Sequence, residues 1–178
     1  MKEINFKNKV FKQYIHKDEI DCIIEEISKK INQSKIQNPY FLAILDGSFI
    51  FASDLIRKIQ IPNTQISFVK LTSYEGIEST GTVKELIGLK EDISNRNIII
   101  LEDIIDTGNT ILEVFKSLEK YNVSSISVAT LLMKPDVYNK DIEINFIGKK
   151  IPNDFVVGYG MDFNENGRNL PNIYKLKK

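Results

Sequence analysis

Asn97-Ile98-Ile99-Ile100-Leu101-Glu102-Asp103-Ile104-Ile105-Asp106-Thr107-Gly108-Asn109-Thr110 is the stretch from which the fold can be read. Four consecutive apolar residues, Ile98 to Leu101, suit a strand covered on both faces, as in a parallel sheet. Acidic and glycine-containing residues follow, and then Ile111, Leu112, Phe115 and Leu118 recur at helical spacing. The reading is a strand over 97–101, a loop beyond its carboxyl end, and a helix. In open α/β sheets ligands gather at that edge.

The residue types in the loop are ordered for chemistry. Residues 106–110 offer backbone N–H groups, the hydroxyls of Thr107 and Thr110, and a flexible Gly108 at a helix N-terminus, a cradle for a phosphate dianion. Two carboxylates directly ahead of such a cradle would repel the phosphate unless something else needed them. Glu102 and Asp103 make sense if they accept from ribose hydroxyls or hold a hydrated Mg²⁺, which prefers oxygen ligands. The plainer alternative is a loop whose Asp, Thr and Asn cap the helix.

Working outward, Ile20, Ile23, Ile24, Ile27 and Ile31 predict an amphipathic helix over 18–31, with Cys22 at its edge and His16 just before it. Both are expected to be structural or incidental. A buried strand is predicted over 41–45, broken by Asp46-Gly47-Ser48, then a helix over 49–59 and a strand over 66–71. This order implies a parallel sheet with crossovers. Residues 72–82 form a polar loop with two glycines, of a length typical of lids, leading to a strand over 82–86. Further strands are expected over 125–132, 142–147 and 155–157, with the tail Lys175-Leu176-Lys177-Lys178 frayed.

The composition narrows the function classes. At 178 residues, 42% hydrophobic and 27% charged, the chain reads as one globular domain over 1–178. Lys plus Arg and Asp plus Glu both number 24, so no basic excess points to nucleic acid or an anionic membrane. One cysteine and one histidine leave no disulfide pair and no zinc cluster. The first residues lack the apolar core of a signal peptide and no run approaches membrane-spanning length, so a reducing cytoplasm is expected. Thr82-Val83 follows Gly76 and Gly81 where a Walker loop needs Lys and Ser or Thr; neither G-x-S-x-G nor a G-x-G-x-x-G after the first strand is present.

The stretch from Ile99 to Gly108 resembles the phosphoribosyl pyrophosphate signature of type I phosphoribosyltransferases. The likeness runs from about Phe41 to Pro171: Leu45-Asp46-Gly47-Ser48 is similar to the family's short pyrophosphate loop and Ser73-Tyr74 to its mobile catalytic lid. Lys134-Pro135, Phe155-Val156-Val157-Gly158-Tyr159, Asp162 and Arg168-Asn169-Leu170-Pro171 resemble the purine-side segments of the hypoxanthine-guanine branch. The resemblance implies an α/β fold whose central, mostly parallel sheet is flanked by helices, with a small hood built from the terminal segments. It also implies phosphoribosyl transfer to hypoxanthine and guanine with Mg²⁺, and a homodimer or homotetramer.

By the same resemblance, Glu102 and Asp103 attend the ribose and its metal, and residues Asp106, Thr107, Gly108, Asn109 and Thr110 hold the phosphate. Asp106 matches the general base, Arg168 a pyrophosphate arginine, and Asp162 attends a second metal and the purine edge. Phe155 resembles the ring that stacks on the purine and the Val156 backbone the group that reads its edge. Lys134, which can only donate, suits O6 of a 6-oxopurine and not the amino group of adenine. A regulator of this fold that binds RNA or DNA, or an enzyme for xanthine or uracil, are the alternative readings. The chain departs from many relatives at Asp46, where they carry Lys or Arg. A carboxylate there is expected to weaken pyrophosphate binding unless it turns outward, holds a metal-bound water, or caps the helix after Gly47.

Overall fold

Residues 3–72, 84–87 and 92–177 are described by a computed structural model of the chain. The residues predicted as a lid, Ser73 and Tyr74 included, lie outside the described residues. Two sheets are present. The larger is built from β3 (Pro39–Leu45), β4 (Gln65–Thr72), β5 (Lys84–Ile87), β6 (Asn97–Ile105), β7 (Ser125–Met133) and β8 (Phe146–Lys150), in the order β5-β4-β3-β6-β7-β8. All neighbours are parallel except β5, which runs antiparallel on the edge. The mostly parallel sheet expected from the apolar runs is therefore the observed one.

Helices α1 (Lys17–Gln33) and α2 (Phe49–Ile56) cover one face and α3 (Asn109–Leu118) the other. The isoleucine stripe of α1 is buried as its spacing predicts, and His16 caps the helix by accepting from the Asp18 N–H. The β3-α2-β4 crossover proceeds one way across the sheet and β6-α3-β7 the other, so the strand order reverses between β3 and β6. That switch point sets Leu45-Asp46-Gly47 beside Glu102-Asp103, where a crevice opens outside the strand ends.

The second sheet is antiparallel and made from both ends of the chain: β1 (Glu3–Phe6), β2 (Lys9–Ile15), β10 (Ile173–Leu176) and β9 (Val156–Val157), in the order β1-β2-β10-β9. It is the expected hood, but its parts correct the sequence reading. The tail predicted to fray is the strand β10 through Leu176, because Ile173 and Tyr174 are buried and the Leu176 N–H donates to the Phe155 carbonyl. The β1–β2 hairpin escaped notice among its interleaved charges.

Three other boundaries move. β6 does not stop at Leu101 but continues through the two acids to Ile105, its ladder with β7 unbroken by them at Glu102↔Thr130 and Ile104↔Leu132. The helix predicted to reach 59 ends at Ile56 in tight turns, Lys58 N–H to Leu55 and Ile59 N–H to Ile56, ahead of Ile61-Pro62. The strand predicted over 142–147 is β8, shifted downstream: the Asn145 side chain takes the Val128 N–H, so backbone pairing starts at Ala129↔Phe146. Of the strand predicted over 82–86, residues 84–86 lie in β5, and 82 and 83 lie outside the described residues.

Candidate active site

The local sequence explains how the loop expected to cradle a phosphate forms. β6 runs out at Ile105, Gly108 turns with φ 82° in the left-handed region, and α3 starts at Asn109. No side chain caps α3 and its first turn holds no acid, so the N–H groups there keep their bonding capacity for an anion. Asp106, Thr107, Gly108, Asn109 and Thr110 line a small hollow of about 70 Å³.

Two larger cavities flank it. One, of about 370 Å³, lies between the ends of β3 and β6 and is lined by Leu45, Gly47, Glu102, Asp103, Asn109 and Thr110. The other, of about 330 Å³, has Phe155, Val156, Lys134 and Asp162 around it, with Gly47, Asp103, Asp106 and Arg168 on the side toward the first. Asp103 and Gly47 border both. Gly47 is needed there for space: a Cβ would lie 2.2 Å from Asp103 Oδ2.

The two acids are held at cost. Glu102 is partly covered as a residue, yet its Oε2 is out of contact with solvent and meets no hydrogen-bond partner. Burial, and then the neighbouring Asp103, push its carboxyl well above the ordinary range. Asp103 is 7% exposed, and burial lifts it to about 6, opposed by the Ile104 N–H bond and the Arg168 charge. A buried carboxylate oxygen without a partner beside a second raised acid is what a divalent cation would relieve. No cluster of three or more His, Cys, Asp or Glu side chains is found among the described residues. Two carboxylates nevertheless fit Mg²⁺, which keeps waters and substrate oxygens as its other ligands.

In the wall of the second cavity, Lys134 is buried and its Nζ donates to Asp106 Oδ2 at 2.8 Å. A donor-only cation and an acceptor carboxylate therefore stand side by side in the wall of one cavity. Arg168 donates to the Gly160 carbonyl at 2.8 Å and pairs with Asp162 at 2.7 Å, while the other Asp162 oxygen accepts from the Glu165 N–H. Phe155 is 46% exposed on the cavity, with Phe163 edge-on at 5.8 Å and Phe11 at 6.3 Å behind it. Sequence reasoning missed Ile104 and Met161, apolar residues that also line this cavity, and the two supporting phenylalanines. Isolated apolar residues outside a periodic run carry no local signal of such a role.

Asp46 departs from the expectation. It does not cap α2, whose N-cap is Ser48, and its side chain lines neither cavity. Its Oδ2 instead accepts from Lys70 Nζ at 2.6 Å. Leu45 and Lys70 are partners in the β3–β4 ladder, so this register brings the cation within reach of the next residue. The backbone of the loop, through Gly47, is what faces the cavities.

The phosphoribosyl transferase domain family matches residues 12–164. The hypoxanthine phosphoribosyltransferase of Buchnera aphidicola subsp. Schizaphis graminum is 45% identical over 153 residues, 85% of either chain. The hypoxanthine-guanine phosphoribosyltransferase of Staphylococcus epidermidis is 41% identical over 165 residues, 92% of either chain. Among solved structures, a hypoxanthine phosphoribosyltransferase from Staphylococcus aureus superposes with a TM-score of 0.85 at 38% identity, over 93% of this chain and 91% of that one. The Trypanosoma cruzi hypoxanthine phosphoribosyltransferase, in a ternary substrates complex, gives 0.83 at 28% identity, over 93% and 95%. Matched over residues 12–164 by the family model and over most of its length by these relatives, the protein belongs to the phosphoribosyltransferase family.

Proposed function

We propose that this protein is a purine salvage enzyme, a hypoxanthine phosphoribosyltransferase that moves the phosphoribosyl group of phosphoribosyl pyrophosphate onto hypoxanthine, and onto guanine as a second base. The products are the 6-oxopurine nucleotide, IMP or GMP, and pyrophosphate. The observation that carries the choice of base is the buried Lys134 ammonium 2.8 Å from Asp106 in the cavity under Phe155. Lys134 can only donate, which suits O6 of a 6-oxopurine and opposes the 6-amino group of adenine. Asp106 can only accept while ionised, which suits the proton that a purine ring nitrogen must lose.

The rest of the reading follows from the same walls. As the bond from the anomeric carbon to pyrophosphate breaks and the bond to the purine nitrogen forms, positive charge grows on the ribose. The 5′-phosphate is held by residues 106–110 and the ribose hydroxyls by Glu102 and Asp103. The Gly47 backbone and Arg168 take the leaving pyrophosphate, a planar cation matching a multi-oxygen anion. Glu102 and Asp103, with Asp162 for a second ion, would hold Mg²⁺. When bound, the metal neutralises charge on the leaving group and the ribose oxygens. Phe155 stacks on the base and the Val156 backbone reads its edge. Ser73 and Tyr74 act as a lid over the reacting centre.

No helix among the described residues is long and apolar enough to cross a membrane. We further take the whole chain, 1–178, to act as one phosphoribosyltransferase domain, in the cytoplasm, as a homodimer or homotetramer, without a nucleic-acid partner.

The test is a panel of hypoxanthine, guanine, xanthine, adenine and uracil with phosphoribosyl pyrophosphate and Mg²⁺. Hypoxanthine and guanine should turn over, adenine should not, and chelation should stop the reaction. Lys134→Ala should weaken hypoxanthine binding by roughly 1.5–3 kcal/mol, the worth of a hydrogen bond to a charged group. Turnover of uracil alone, or of no base, would remove the proposal.

A further inference from the structure

Tyr159 is 4% exposed and lines neither of the two larger cavities, yet its hydroxyl donates to Asp54 Oδ2 in α2. Asp54 is also paired with Arg57 one turn later. Burial, and then the bond to Asp54, push the phenol far above its ordinary range, so it stays protonated as a donor. The backbone at this place is unusual. Tyr159 has φ 53° and Gly160 φ 98°, two successive residues in a region that an L side chain enters only when its surroundings hold it.

What the surroundings hold is a stack of three groups. A Cβ on Gly160 would lie 2.1 Å from the Gly47 carbonyl oxygen, so the two backbones touch with no room for a side chain. The Gly160 N–H donates to the Arg168 carbonyl at 2.9 Å, and the Arg168 guanidinium donates back to the Gly160 carbonyl at 2.8 Å. Gly160 therefore spaces Gly47 from Arg168. Tyr159 is the residue before it, and Asp54 sits on the helix that starts two residues after Gly47. The tether thus closes a triangle: Gly47 to α2 through the chain, α2 to Tyr159 through the hydroxyl, and Tyr159-Gly160 back to Gly47 by contact.

We propose that Tyr159 is a positioning residue for the pyrophosphate half of the site, its hydroxyl bond to Asp54 fixing the distance between the Gly47 loop and the Arg168 guanidinium. This rests on the reading of Gly47 and Arg168 as pyrophosphate groups. A pyrophosphate spanning backbone N–H groups on one side and a guanidinium on the other needs both at a set separation, and loosening it by a fraction of an ångström weakens every contact. Lys134 and Phe155, the proposed purine groups, are not members of this triangle: Lys134 is held by Asp106, and the Phe155 carbonyl by the Leu176 N–H.

The experiment compares the wild type with Tyr159→Phe, Asp54→Ala and Asp54→Asn. Magnesium pyrophosphate affinity is measured by calorimetry, the KM values for phosphoribosyl pyrophosphate and hypoxanthine by steady-state assay, and Tm by circular dichroism. Tyr159→Phe and Asp54→Ala should weaken magnesium pyrophosphate by roughly 2- to 10-fold, the loss of one hydrogen bond. The KM for phosphoribosyl pyrophosphate should rise in step, with that for hypoxanthine within about two-fold. Asp54→Asn, whose amide oxygen still accepts from the hydroxyl, should keep the wild-type affinity. Unchanged pyrophosphate affinity in Tyr159→Phe, equal losses for both substrates, or an Asp54→Asn as weak as Asp54→Ala would each overturn the proposal. Should Tyr159→Phe fail to fold, Asp54→Ala decides from the helix side. A wild type that binds pyrophosphate without turning over hypoxanthine would remove the functional reading while the affinities still judge Tyr159.

Discussion

The two sides of the crevice, proposed here to take the phosphoribosyl group and the purine, are built in opposite ways. Residues 102–110 supply most of the polar groups of the first, one strand end running into one helix start, with the end of β3 and Gly47 closing it. The second is gathered from the end of β7, the segment before β9, the loop holding Asp162 and Arg168, and the aromatic residues of the β2 strand and the tail. A contiguous site is fixed by local backbone geometry and forms wherever β6 and α3 form. A gathered site depends on long-range closure, such as Leu176 holding Phe155 through its carbonyl. Substitutions in the hood should therefore touch base binding and leave phosphate binding alone.

The largest effect is expected on the contiguous side. Asp106→Asn keeps the shape of the loop and removes the base, so kcat should fall by about 10²- to 10⁴-fold while KM for phosphoribosyl pyrophosphate changes little. An unchanged kcat in a rapid-quench assay would mean the proton leaves by another route. Asp103 comes next, and its effect is on stability. An unfolded chain releases the Asp103 proton near 3.8 and the folded chain near 6, so between those values the folded state binds more protons and stability falls as pH rises. Above the folded value the loss is complete, on the order of 2–3 kcal/mol. Asp103→Asn should flatten this fall and make the ligand-free protein more resistant to urea at about pH 7.5 than the wild type. Identical unfolding curves at that pH would refute the burial argument.

Two smaller effects sharpen the contrast. Phe163→Leu removes the ring that stands edge-on to Phe155, and an aromatic pair of this kind is worth about 0.5–1.5 kcal/mol. The KM for hypoxanthine should rise by roughly 2- to 10-fold with that for phosphoribosyl pyrophosphate steady. Equal rises in both would erase the distinction between the two sides. Asp46→Lys should change pyrophosphate affinity least, by less than about two-fold at any salt, because the side chain faces Lys70 and lines neither cavity. A marked, salt-sensitive tightening in calorimetry would show that this side chain reaches the ligand.

The same contrast governs what could be read from the sequence. Ile98 to Leu101, the acids and the Thr-Gly turn announce a buried strand, a cradle and a helix because each signal is local. The one local error, ending the strand at Leu101, arose because carboxylates interrupt the apolar run, whereas the ladder with β7 asks only for backbone groups and continues to Ile105. Nothing around Lys134 or Phe155 distinguishes them from a surface lysine and a core ring; only the family resemblance singled them out. Lys70 as the partner of Asp46, 24 residues away, required the β3–β4 register. The hairpin β1–β2 and the strand β10 become strands by pairing with each other, and short charged segments do not advertise partners at the far end of the chain.

Three cations near the crevice are already matched within the chain: Lys134 by Asp106, Arg168 by Asp162 and Lys70 by Asp46. At these three a polyanion approaching from solution meets dipoles rather than bare positive charge, on a molecule whose formal charge is zero. With no net charge to steer it, its capture is expected to depend only weakly on ionic strength. At Arg168, the proposed pyrophosphate group, the incoming oxygens would have to displace the resident Asp162 carboxylate. An anion unable to make that exchange leaves as quickly as it came.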